Sequence, residues 1–68
     1  MNGPGSTLRT LRKLAGLTRR QAARRAECSR RFLRAVERGE RPGSPAFYGQ
    51  VAAVCAEQMR RDALRGIS

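Results

Sequence analysis

Apolar residues recur along this chain at helical spacing, cut into short runs by glycine, proline and capping residues. Leu8, Leu11 and Ala15 make the first stripe, with Arg9, Arg12 and Lys13 between them. Ser6 or Thr7 can cap this helix, which is predicted to run to about residue 15 and to stop at Gly16. Residues 1–5 hold two glycines and a proline and are expected to form a loose, flexible tail. Thr18 opens a second helix: Thr18 and Gln21 have capping-box spacing, and Ala22, Ala23 and Ala26 give a thin apolar face that lets another helix come close. Arg19, Arg20, Arg24 and Arg25 occupy much of the remainder.

Glu27 and Cys28 form the next break, and Ser29 is a good N-cap for a third helix over about residues 30–38. Leu33 and Val36 are its buried pair, and Gly39 ends it. A loop over residues 40–44 contains Pro42 and Gly43. Ser44 and Pro45 then start a fourth helix, whose Phe47, Val51, Val54 and Cys55 form an i, i+4, i+7, i+8 stripe. Residues 57–66 are weakly helical, with Met59, Ala63 and Leu64 as packing candidates; they either continue the fourth helix or form a fifth. There is no strand alternation and no internal repeat. The expected fold class is all-α: a compact four- to five-helix bundle, one domain over residues 6–68.

Charge sharpens this picture. Fifteen basic residues face five acidic ones, a net charge of +10, and Lys13 is the only lysine. So positive a field favours polyanions. Binding at a membrane surface fits poorly, because no helix has a large apolar stripe with aromatic anchors. The longest apolar runs are too short to span a bilayer, and the first six residues lack the apolar core of a leader, so a cytoplasmic protein is expected.

Catalysis finds no support. There is no histidine, and Glu27, Glu37, Glu40, Glu57 and Asp62 show no pairing suited to acid–base work. Two cysteines without histidine do not supply the four ligands of a structural zinc site, and no serine has triad partners. No metal or cofactor is expected. Cys28 and Cys55 read as reduced thiols filling apolar space, with one disulfide between them as the alternative.

Residues 17–39 carry the most specific pattern: two short helices joined by a tight break, the second crowded with arginine. This stretch resembles the Cro/C1-type helix-turn-helix family, also called the XRE family, found in phage repressors and small bacterial regulators. The resemblance extends over roughly residues 8–55. It rests on Leu11-Arg12, Leu17-Thr18, Ala23, Ser29, Leu33, Val36 and the Glu37-x-Gly39 exit. Two positions depart from the pattern: Glu27 stands where glycine is usual at the turn, and Ala22 where leucine is usual.

The resemblance implies a lambda repressor-like domain with the helix-turn-helix over residues 18–38, and it assigns roles. Thr18 and Arg19 match phosphate-contacting residues at the start of the second helix, where free N–H groups and the dipole favour an anion. Ser29, Arg38 and Arg41 are further phosphate candidates. Arg30, Arg31, Arg34 and Ala35 match outward positions of the recognition helix, where arginine can pair with guanine and a methyl group can touch thymine. Glu37 is expected to pair with Arg12, tying the first helix to the third. Phe32 has two readings: packing on the fourth helix near Tyr48, or exposure beside DNA or a protein.

The expected function is a small sequence-specific double-stranded DNA-binding regulator, a Cro-like repressor that occupies an operator. Its size leaves no sensing or cleavable domain, so control by protein level and operator competition is expected. The expected oligomer is a weak homodimer, or a monomer that pairs only on DNA, with residues 54–64 as the candidate dimer surface. Two alternatives stay open: an accessory or architectural DNA-binding protein such as a recombination directionality factor, and a protein-interaction module of antitoxin type.

Overall fold

A computed structural model describes residues 3–67. It contains four α-helices: α1 Pro4–Leu14, α2 Arg19–Arg25, α3 Arg30–Glu37 and α4 Pro45–Ile67. The helix α3 packs against α1 and α2, and α4 lies across the same two helices. Leu8, Leu17, Leu33, Val36, Val51 and Cys55 meet at the centre, with Ala15, Ala22, Ala23 and Ala26 closing the gaps between helices. Those alanines let α2 approach closely, so a core with few large side chains still closes.

Capping chemistry sets most boundaries. The Thr18 hydroxyl accepts from the Gln21 N–H at 3.1 Å while the Gln21 side chain accepts from the Thr18 N–H at 2.9 Å, a complete capping box. Ser29 caps α3 by accepting from the Phe32 N–H, and Ser44 caps α4 by accepting from the Phe47 N–H, each at 3.0 Å. Helices α1, α2 and α3 all end in a Schellman motif, in which the next two N–H groups fold back on the last carbonyls. The left-handed residues of these motifs are Gly16 (φ 73°), Glu27 (φ 57°) and Gly39 (φ 75°). Only the middle one carries a side chain, and it is the joint between the two helices of the central motif.

Several expectations are corrected. Helix α1 starts at Pro4 with Gly3 as its N-cap, not at Ser6 or Thr7, so residues 4 and 5 belong to the helix rather than to a tail. Gly5 is buried against the end of α3, where a β-carbon would overlap the Val36 carbonyl. Met1, Asn2 and Ser68, parts of the expected tail and domain, lie outside the described residues. The C-terminal segment continues α4, and no fifth helix forms among the described residues. Met59 is half-buried against the core, but Ala63 and Leu64 are exposed, Leu64 by 62%. The last turns of α4 extend past the bundle, leaving those two side chains nothing to pack on.

Cys28 and Cys55 are free thiols. Burial pushes both thiol pKa values up; at Cys55, Arg12 and Arg25 oppose the rise and Glu37 adds to it. No helix among the described residues is long and apolar enough to cross a membrane.

Candidate nucleic-acid interface

The outer surface of α3 follows from its inner one. Leu33 and Val36 are buried, which turns Arg30, Arg31 and Arg34 to solvent and leaves Ala35 half-buried at the edge. Ser29 caps the helix beside them, so its hydroxyl already accepts one backbone N–H. Arg19, at the first turn of α2, lines one cleft together with Arg30, Arg31 and Arg34. These four arginines share one cleft with no acid among its lining residues. Arg30, Arg31 and Arg34 form no hydrogen bond or ion pair among the described residues.

The frame behind this face is an ionic cluster. Arg12 Nε donates to Glu37 Oε2 at 2.7 Å, and Arg12 Nη2 donates to Glu37 Oε1 at 3.1 Å. Arg12 Nη1 also donates to the Leu17 carbonyl at 2.9 Å, which fixes the entry to α2. The side chains are 8% and 0% exposed. The expected Arg12–Glu37 brace is therefore present, bidentate and buried, and no buried side-chain polar atom among the described residues lacks a partner.

Glu37 has a second partner that the sequence did not reveal. Arg19 Nε donates to Glu37 Oε1 at 3.1 Å, with the Arg19 side chain 34% exposed. One carboxylate thus ties α1, the start of α2 and the end of α3 together. Among the described residues, the Nε of Arg19 is its one engaged nitrogen. Thr18, expected beside it, is exposed, with its hydroxyl engaged in the capping box.

The remaining predicted positions sit beyond α3. Arg38 pairs with Glu40 at 3.2 Å on the surface, a contact weak enough to exchange for another anion. The Arg41 guanidinium lies 5.6 Å from the centre of the Phe32 ring. Phe32 itself packs on α4 edge-to-face with Phe47 at 5.0 Å, one residue from the expected Tyr48 neighbour. The Tyr48 hydroxyl instead accepts from the Gly43 N–H at 3.1 Å and steadies the loop before α4.

Two other contacts escaped the sequence reading. Gln50 Nε2 donates to the Ala26 carbonyl at 2.8 Å, and Arg25 Nη1 donates to Gln58 Oε1 at 2.6 Å. Both tie α2 to the polar flank of α4 and hold the short helix that carries Arg19. Polar residues flanking the Val51 and Cys55 stripe were the available signal.

The helix-turn-helix domain family matches residues 5–64 of the chain, a span that contains these two short capped helices and the left-handed turn between them. The chain belongs to that family. Membership supports DNA binding as the general activity of this helix-turn-helix protein and agrees with its Cro/C1-type resemblance. No curated protein and no solved structure matched it.

Proposed function

We propose that this helix-turn-helix protein is a sequence-specific double-stranded DNA-binding transcriptional regulator of Cro-like repressor type. The observation that carries the reading is the outer face of α3, where Arg30, Arg31 and Arg34 are exposed and unpaired on a helix anchored by Leu33, Val36 and Glu37. A helix of this kind fits the major groove while the preceding helix crosses the backbone. Arg19, Thr18 and the α2 N-terminus then meet phosphate on one side of the groove, and Arg38 and Arg41 meet it on the other. Arg30, Arg31, Arg34 and Ala35 are left to read base edges. Occupying a promoter in this way blocks polymerase.

The free protein is a monomer that pairs on DNA. Residues 60–66 of α4 are exposed, and Leu64 stands among Arg60, Arg61 and Arg65. That composition gives a second copy little to bury and much charge to oppose. A tight dimer in sedimentation without DNA overturns this part.

Selection of bound duplexes from a random library tests the main reading. An enriched inverted repeat with half-sites about 34 Å apart is the expected result. Affinity falls steeply with salt as counterions are released. Absence of any enriched sequence overturns the assignment.

A further inference from the structure

We infer that the half-site is defined by guanine, with at least two guanines within about three base pairs of each other under α3; this rests on the DNA-reading role proposed above. The side chains that α3 offers exclude the other three bases one by one. Adenine is read by the paired donor and acceptor of Asn or Gln, cytosine by an acidic acceptor, and thymine by an apolar contact to its methyl group. Among Arg30, Arg31, Arg34 and Ala35 there is no amide and no acid.

The nearby groups that could supply one are engaged. Glu37 is buried and held by two arginines, so it cannot accept from cytosine. Gln21 has its Oε1 engaged in the capping box and so lacks the free acceptor of a paired adenine contact, and Glu40 lies past the helix and pairs with Arg38. Ala35 can meet one thymine methyl group at most. What remains is guanidinium, whose forked donors match guanine O6 and N7.

Electrostatics favours the same base. Arg19, Arg30, Arg31 and Arg34 crowd one cleft without an acid among them. Their repulsion is best relieved where strong acceptors are dense, and guanine puts two acceptors on one major-groove edge. Spacing sets the window. Arg30 and Arg34 are one turn apart, roughly 6 Å along the axis. Base pairs rise about 3.4 Å each, so the two side chains reach positions about two steps apart.

The test uses the full chain and duplexes selected from a random library. Selected half-sites are expected to carry these guanines on either strand. Replacing each with 7-deazaguanine removes N7 and keeps base pairing; each replacement is expected to weaken binding about tenfold or more. Replacing them with inosine removes only the minor-groove amino group and leaves affinity unchanged. Arg34→Ala, at an unpaired surface position, keeps the melting profile and abolishes the preference at one of these guanines.

Enriched sites defined by A·T pairs, or indifference to 7-deazaguanine, overturn the guanine inference while DNA reading stands. Equal loss on inosine substitution places recognition in the minor groove and also overturns it. If no sequence is enriched, the proposed function fails, and this inference fails with it.

Discussion

Arg12 and Arg34 are the same residue type in one small bundle built around a buried carboxylate, yet their surroundings are opposite. Arg12, on the inner seam between α1 and α3, spends its guanidinium on Glu37 and the Leu17 carbonyl. Arg34, on the outer face of α3 and three residues before Glu37, has no partner among the described residues. Arg19 stands between these extremes, with one nitrogen on Glu37 and the rest in the cleft of free arginines. Position relative to one carboxylate therefore divides a strongly basic sequence into a buried frame and the proposed reading surface. A chain of net charge +10 needs such a division, because unassigned charge only repels itself.

Removing the carboxylate is expected to have the largest effect. Glu37→Ala strands Arg12 in the interior and unties three helices at once. A loss of about 3–5 kcal/mol is expected, a large part of the stability of so small a domain. Thermal melting followed by circular dichroism measures it. Unchanged melting would mean that the inner seam contributes no more than a surface pair.

The outer face answers to the opposite readout. Arg31→Ala should leave melting unchanged and lower discrimination between selected and scrambled duplexes by about 1–3 kcal/mol. Titration of both duplexes at one fixed salt concentration separates lost discrimination from lost charge. A uniform weakening on both would make Arg31 a phosphate contact and move it out of the reading set.

How much of this division was legible in the sequence depends on the range of the interaction. Local signals worked: Thr18, Gln21 and Ser29 cap where their spacing placed them, and Leu33 and Val36 are the buried pair. The Arg12–Glu37 brace came from family likeness, since nothing local links residues 25 positions apart. The start of α1 was missed because Gly5 matters for what it lacks: its missing β-carbon makes room for the Val36 carbonyl, a contact that exists only after folding. Ala63 and Leu64 misled because helical spacing shows which side chains share a face and not whether anything covers it. The Arg19 bond to Glu37 was invisible for a related reason. Several arginines flank the start of α2, and only the path of the chain decides which reaches the carboxylate.

Arg19 gives the intermediate test. Its bond to Glu37 is partly exposed, so Arg19→Ala should cost at most about 1 kcal/mol of stability, far less than Glu37→Ala. Its terminal nitrogens are proposed to meet phosphate. The same substitution should therefore weaken binding to all duplexes alike and reduce the slope of affinity against salt by about one ion. Salt titrations of wild type and variant decide. Loss of discrimination without a change of slope would place Arg19 among the readers.

The smallest effect comes from the joint between frame and reading surface. Gly16, Glu27 and Gly39 play the same part at the ends of α1, α2 and α3, and each is in the left-handed region. Glycine adopts it freely, whereas a residue with a β-carbon gives up about 1–2 kcal/mol there. Glu27→Gly removes that strain but gains freedom in the unfolded chain, which costs roughly 0.5–1 kcal/mol. The net expectation is a stabilisation of up to about 1 kcal/mol, a rise in melting temperature of several degrees at most. The turn already has its hydrogen bonds, from Glu27 N–H to the Arg24 carbonyl at 3.2 Å and from Cys28 N–H to the Ala23 carbonyl at 2.9 Å. Relieving the strain should therefore leave the angle between α2 and α3, and the Arg31 discrimination with it, unchanged. A stabilised Glu27→Gly variant that reads the same duplexes as before would show that the strained residue is a tolerated departure. Altered discrimination would show instead that the glutamate helps to aim the recognition helix.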